Sequence, residues 1–159
     1  MSYTFAGLPL HILLVHAVVV LVPLTALAVL LHAFWPAAAR RLGVVTPLGG
    51  LVVLVLTPIT INAGMALKNL VGVTPAIQRH ADLGPTLLPW AIALFIVALA
   101  EWGWTRFGRP RATRMPGRAR IIIVLVLAAA ATVVAIGSVV DVILIGDAGA
   151  RAVWGGLVP

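Results

Sequence analysis

The sequence predicts an all-α membrane protein, a bundle of four transmembrane helices with both termini outside the cytoplasm. Two observations carry this prediction: four long apolar runs, and arginines concentrated in the connectors on one side of them. Hydrophobic residues make up 62% of the 159-residue chain and charged residues 9%, against about 45–50% and about 25% in a globular domain. A water-soluble protein of this size has too little interior to bury so much apolar surface. Lipid must therefore surround most of it.

The apolar runs divide a single domain, residues 1–159, into four predicted spans. They cover residues 12–35, 44–63, 86–104 and 121–145. Each is close to the ~20 residues needed to cross the hydrocarbon layer, and a spanning backbone that satisfies its own hydrogen bonds is a helix. Small residues should let these helices approach closely, namely Gly49, Gly50, Ala128–Ala131 and Gly137.

Basic residues mark the side that faces the cytoplasm. The connectors after the first and third runs hold eight arginines: Arg40, Arg41, Arg106, Arg109, Arg111, Arg114, Arg118 and Arg120. The other side holds Lys68, Arg79 and Arg151. The positive-inside rule then predicts a multi-pass protein of the cytoplasmic membrane with both termini outside. We expect the first helix to be retained, because no Lys or Arg precedes it and Arg40-Arg41 follow it.

Several function classes are excluded or disfavoured by what the sequence lacks. Cysteine is absent, which excludes disulfides, thiolate nucleophiles, iron–sulfur ligation and covalently attached haem. The net charge is +7, but the basic residues do not form the basic stripe, with an aromatic platform beside it, that is typical of a nucleic-acid-binding protein. The chain has no Ser-His-Asp order, phosphate loop or HExxH motif. We therefore predict no catalytic residues and a non-enzymatic protein.

Polar residues within or beside the spans form two predicted layers near the outer face. The outer layer contains His11, His80, Asp82, Asp147 and Arg151. A deeper layer contains His16, Asn62, Ser138 and Asp141. A lone carboxylate at the depth of Asp141 is costly, so we expect a buried polar pair of His16 and Asp141 with Asn62 beside it. Toward the cytoplasm, His32 and Glu101 fall at similar depth, with Glu101 in reach of Arg106.

Two ligand hypotheses follow from the outer histidines. Haem b is held by imidazoles inside helix bundles, and His11, His16 and His80 are the candidate haem-binding residues. A divalent metal is the alternative, with His11, His80 and Asp147 as a two-histidine, one-carboxylate ligand set. Neither has a tight spacing motif, and ordinary interfacial histidines or a structural polar clamp remain open.

Two further functions stay open on the same residues. A small transporter or channel subunit would use His16 and Asp141 to relay protons or bind a cation. A structural accessory subunit would bind no ligand. The lipid bilayer is the predicted partner in every case, and other membrane or redox subunits are further candidate partners.

A short internal similarity suggests a parallel duplication. Residues 62–72 and 145–155 align without gaps, which places Lys68 against Arg151 and Gly72 against Gly155. Few of the aligned residues are identical. Each half then has the same order: a helix inward, a basic turn, a helix outward and a short amphipathic tail.

Three segments resemble a large family of predicted four-span bacterial membrane proteins of unknown function. They are GLPLHILLVHAVVVLVPL near the start, TPAIQRHADLGPTLLPWA before the third span, and IGDAGARAVW near the end. The opening resembles the family pattern GLPxHxLxVH. Some relatives are joined to Rieske-type domains, so the resemblance implies a role in redox or respiratory chemistry.

The same resemblance implies which histidines belong to a family site. His11, His16 and His80 match the first three histidines of the family, while the fourth is missing. Relatives read Gly-His-Ser-Gly-Ala where this chain has Gly-Asp-Ala-Gly-Ala, so Asp147 replaces a histidine. Relatives also carry Gly-Glu where this chain has Gly64-Met65. Because aspartate is a poor haem ligand but can bind a divalent metal, a complete family-type redox site is not expected.

Overall fold

Four helices long and apolar enough to cross a membrane make up most of the protein, as predicted. The computed structural model describes residues 4–5, 7–111 and 115–155. The helices of membrane length are α1 (Leu10–Phe34), α3 (Val45–Val71), the helical stretch Pro75–Arg111 and α7 (Gly117–Trp154). The predicted all-α class and the count of four such helices are confirmed for this part of the chain.

Shorter elements complete the order along the chain. They are β1 (Thr4–Phe5), β2 (Leu8–Pro9), α2 (Pro36–Leu42), α4 (Pro75–Leu83), a 3₁₀ turn (Gly84–Thr86), α5 (Leu87–Gly103), a π-helical turn (Trp104–Gly108) and α6 (Arg109–Arg111). The two-residue strands β1 and β2 pair antiparallel just before α1. Thr74 caps α4, since its side chain accepts a hydrogen bond from the Ile77 backbone N–H at 3.2 Å.

The helices differ from the predicted spans mainly at their polar ends. α3 continues to Val71 and α7 to Trp154, beyond the predicted ends at residues 63 and 145, because a helix propagates through polar residues once it has begun. The Arg-rich connector after the third predicted span is helical as far as Arg111 and again from Gly117. Its residues 112–114, including Arg114, lie outside the described residues.

The four long helices pack in a ring in the order α1, α3, α5 and α7, and α1 and α5 also touch across the diagonal. The core between them consists of small and branched residues, with Val22, Val29, Leu94, Ala98 and Ala131 fully enclosed. At one crossing, a Cβ added to Gly50 would lie 2.9 Å from the Phe95 Cα. The predicted use of glycine for close approach is therefore found between α3 and α5.

The outward surface of the ring is strongly apolar. Large side chains on it are half-exposed or more, including Val20 (56%), Leu24 (56%), Ile122 (59%) and Leu125 (61%). Soluble monomers rarely expose a continuous apolar surface of this extent. The surface is compatible with contact to lipid tails along the length of the bundle.

The burial pattern of the first half recurs in the second half. When His11 is aligned with His80 without gaps, five buried residues of α1 fall on five buried residues of α5. The pairs are Val18 and Leu87, Val22 and Ala91, Thr25 and Leu94, Val29 and Ala98, and His32 and Glu101. The predicted parallel duplication thus has a counterpart in the packing of the helices.

Helices α3 and α7 correspond in the same way, in a register two residues from the predicted one. Their matching buried positions are Thr46 and Ala131, Gly50 and Ala135, Val53 and Ser138, Thr57 and Val142, and Ala63 and Ala148. This alignment places Asn62-Ala63-Gly64 on Asp147-Ala148-Gly149. In this register Lys68 falls on Val153 and not on Arg151.

Candidate functional site

The imidazoles of His11 and His80 lie together at the end of the bundle where α1 begins, here called the histidine end. His11 is the second residue of α1, and His80 lies in the last turn of α4. Their ring centroids are 6.1 Å apart and the rings are inclined by 68°. Each half of the chain therefore contributes one imidazole to this end of the bundle.

Both rings are fixed by the same kind of hydrogen bond. The Nδ1 of His11 lies 3.0 Å from the Thr60 carbonyl oxygen, and the Nδ1 of His80 lies 3.0 Å from the Ile145 carbonyl oxygen. A carbonyl can only accept, so each Nδ1 carries the hydrogen and donates. In a neutral imidazole the lone pair is then on Nε2. Neither Nε2 has a hydrogen-bond partner within the described residues.

A glycine on the opposing helix makes room for each ring. An added Cβ at Gly64 would lie 2.8 Å from the His11 Cε1, and one at Gly149 would lie 3.1 Å from the His80 Cε1. Each glycine lies one helical turn after the residue whose carbonyl oxygen accepts the hydrogen bond. Each imidazole therefore packs directly against the backbone of the glycine. The repeated Asn-Ala-Gly and Asp-Ala-Gly triplets are the sequence signal from which this arrangement could have been predicted.

The predicted metal ligand set is not assembled. Asp147 is exposed and forms an ion pair with Arg151, whose Nε lies 2.8 Å from the Asp147 Oδ2. Asp82 accepts a hydrogen bond from Gln78 at 2.7 Å. Among the described residues, no three His, Asp or Glu side chains converge as metal ligands. The set of His11, His80 and Asp147 fails because the Asp147 side chain is held by its own helix.

The predicted buried pair of His16 and Asp141 is also not formed. His16 is exposed on α1, and its Nδ1 lies 2.6 Å from the Ile12 carbonyl oxygen of the same helix. The Asp141 carboxyl instead lies 2.8 Å from the Thr86 hydroxyl, which is also 2.7 Å from the Leu83 carbonyl oxygen, and Asn62 is exposed. Hydropathy gave the depths of these residues, but the rotation of each helix about its axis decides which of them meet. His16 accordingly does not join His11 and His80.

A second polar cluster lies at the opposite end of the bundle, here called the arginine end. His32 is 3% exposed and Glu101 is 2% exposed. Thr105 donates to backbone carbonyls, so its oxygen accepts from the His32 Nε2 at 3.2 Å, while the Thr46 hydroxyl faces the His32 Nδ1 at 3.4 Å. Glu101 forms no ion pair with Arg106 in the part of the chain that is described, although the sequence places the two residues within reach of each other. Arg106 lies over the Phe107 ring instead, 5.2 Å from its centroid.

The fold and the site together define a bundle of four helices long and apolar enough to cross a membrane, with two imidazoles side by side at one end. Comparison of the chain with protein-family models, with curated proteins and with solved structures finds no match. What the protein does is therefore inferred from the chemistry of its own side chains.

Proposed function

We propose that this protein is an integral component of the bacterial cytoplasmic membrane that binds haem b between His11 and His80. Its role is non-enzymatic, as a carrier of single electrons beside other redox or respiratory subunits. The arginine end faces the cytoplasm and the histidine end faces outward, as the positive-inside rule requires. Membership of the family that the opening segment resembles is part of the same proposal.

The separation of the two imidazoles is the observation that carries this proposal. A metal–nitrogen bond is about 2 Å long, and the centre of an imidazole lies roughly 1 Å behind its nitrogen. The ring centroids of His11 and His80 are 6.1 Å apart, a separation at which the Nε2 atoms of both rings would be able to hold one haem iron. The two Nδ1 hydrogen bonds to backbone carbonyls are the support that metal-binding histidines commonly have.

The number of protein ligands favours haem over a bare ion. A structural or catalytic zinc ion needs three or four protein ligands, and no such group exists in the described residues. Haem brings four nitrogens of its own and needs only axial ligands from the protein. A bound haem iron at this position would supply reversible one-electron chemistry.

Absorption spectroscopy of the detergent-purified protein tests the proposal directly. We expect a Soret band and reduced-minus-oxidised difference peaks after expression with sufficient haem. His11→Ala and His80→Ala should each abolish these bands or convert them to those of a singly ligated haem. His16→Ala is the matched control, because His16 is exposed and bonded to its own helix, and it should leave the spectrum unchanged.

Three results would count against the proposal. The first is a colourless protein that remains folded under haem-sufficient expression. The second is a haem spectrum that is unchanged in the His11→Ala variant and also unchanged in the His80→Ala variant. The third is stoichiometric copper or zinc by elemental analysis in place of haem, which would assign the two imidazoles to a bare ion.

A further inference from the structure

Glu101 is a buried acid with no partner. It is 2% exposed, and neither carboxyl oxygen has a hydrogen-bond partner among the described residues. It is also the single glutamate of the chain. An ionised carboxylate in such surroundings costs several kcal/mol or more. The group is therefore stable there only in its neutral, protonated form.

A small cavity lies against this side chain. Its volume is about 20 Å³, and its polar lining comes from Glu101, His32, Trp104, Thr105 and Arg109. The indole Nε1–H of Trp104 is also buried, with no partner in the described part of the chain. A cavity of at least about 10–15 Å³ with two to four polar groups can hold one water molecule. A single water here can accept from the Trp104 Nε1–H and bond to Glu101.

Besides Glu101, the titratable or charged side chains that line the cavity come from α1 and α6. α1 contributes His32, whose two ring nitrogens already face Thr46 and Thr105. α6 contributes Arg109, and α7 contributes only the apolar Val124, Leu127 and Ala128. No second carboxylate lines the cavity. Glu101 is therefore the group there that can gain and lose a proton without breaking an existing hydrogen bond.

A wider cavity adjoins the small one on the side of the arginine end. Its volume is about 440 Å³, and it is lined by Trp104, Arg109, Arg120, Ile121, Val124 and Leu125. Trp104, Arg109 and Val124 line both cavities. The wider space therefore begins within one side chain of the small cavity, so water in it would lie close to the buried acid.

We propose that Glu101 is a proton-binding site that exchanges its proton with the arginine end of the bundle through one water beside Trp104. The site is separate from the histidine end, because His11 and His32 are 21 residues apart on one helix, roughly 30 Å at 1.5 Å per residue. The proposal does not depend on whether haem binds at His11 and His80.

Chemical labelling of the full-length protein tests the protonated state. Dicyclohexylcarbodiimide is an apolar reagent that accepts the proton and carboxyl oxygen of a buried acid across its C=N bond. The product rearranges to a stable N-acylurea, so the whole reagent is added and nothing leaves. We expect one adduct by peptide mass spectrometry, on the peptide containing Glu101, and its loss in Glu101→Gln. Asp147→Asn is the matched control, because Asp147 is exposed and ion-paired, and it should leave labelling unchanged.

Infrared spectroscopy of the unlabelled protein tests access by water. We expect a carboxylic C=O band that is absent in Glu101→Gln, shifts within minutes in D₂O, and shifts again in Trp104→Phe, which removes the donor to the water. A band that stays unshifted in D₂O would overturn the exchange route. Absence of both the band and the adduct in a folded protein would overturn the proposal, whatever is found for haem.

Discussion

His11 and His80 hold the same position in the two halves of the protein, and each donates from Nδ1 to a carbonyl oxygen 3.0 Å away. The accepting residues, Thr60 and Ile145, each precede a glycine by one helical turn. The site is thus formed where two copies of one motif face each other. Neither half contains both imidazoles, so a two-imidazole site needs the complete bundle.

Gly64→Ala should disturb the histidine site more than Gly149→Ala. The new methyl group would lie 2.8 Å from the His11 Cε1 at Gly64, but 3.1 Å from the His80 Cε1 at Gly149. We expect Gly64→Ala to destabilise the fold by ~1–3 kcal/mol, as overpacking usually does, and Gly149→Ala by less. Unfolding titrations in mixed detergent would measure both, and loss of the His11 ring from its position would also lower haem retention.

Gly103→Ala is the control for this comparison. Gly103 is helical, and an added Cβ there would have nothing within 4 Å. Alanine is the better helix former, so the variant should be as stable as the parent or more stable. Equal losses of stability at Gly64, Gly149 and Gly103 would show that close packing against the imidazoles is not the cause.

The positions of the four membrane-length helices were predictable from the sequence, because the hydropathy of a segment is the sum of the contributions of its residues. Runs of apolar residues determine where a helix can cross lipid, and the predicted spans each fall on one long helix. Helix ends were less predictable, because the polar residues after residues 63 and 145 continue the helices without contributing to hydropathy. The helical part of the Arg-rich connector was missed for the same reason.

The site was only partly predictable, because contacts between helices depend on rotation about each axis. The pairing of His11 with His80 agrees with the expected outer layer, whereas His16 points away from it and Asp141 bonds to Thr86. A hydropathy profile contains no information on that rotation. The repeated Asn-Ala-Gly and Asp-Ala-Gly triplets would have supplied it, since residues equivalent by duplication face the centre together.

Gly50→Ala tests the closest helix crossing. The added Cβ would lie 2.9 Å from the Phe95 Cα, and backbone cannot move aside as a side chain can. We expect a loss of ~1–3 kcal/mol in the free energy of unfolding. Gly49→Ala is the neighbouring control, where the nearest atom is the Thr25 Oγ1 at 3.2 Å. It should cost less, and an equal cost would argue against the α3–α5 contact.

Asp147→Asn should change neither stability nor any absorption spectrum. The Asp147–Arg151 pair joins successive turns of one helix, and both side chains are largely exposed. Exposed ion pairs contribute little, since water and salt screen them. Thermal unfolding and the Soret region would both be compared with the parent. A clear loss of haem in this variant would mean that Asp147 takes part in the site.

Leu94→Ala should be the most damaging truncation in the core. Leu94 is completely buried where α5 faces the centre of the bundle. Leu→Ala in a core costs ~2–5 kcal/mol, partly through the cavity that remains. The lower part of that range is expected, because lipid already surrounds the separated helices with apolar contacts. Leu99→Ala is the control, since Leu99 is 43% exposed, and its effect should be small.

Thr86 and Asp141 should show strong coupling in a double-mutant cycle. The Thr86 hydroxyl lies 2.8 Å from the Asp141 Oδ1 and 2.7 Å from the Leu83 carbonyl oxygen, and the other carboxyl oxygen of Asp141 is buried without a partner in the described structure. Thr86→Val leaves the carboxyl group without this hydrogen-bond partner, which should cost ~1–3 kcal/mol, whereas replacing both partners by apolar groups can be nearly neutral. The double variant Thr86→Val, Asp141→Leu should therefore be more stable than Thr86→Val alone. If the losses of stability in the two single variants sum to the loss in the double variant, the hydrogen bond is contradicted. Mutational effects add at independent sites but not at residues in contact.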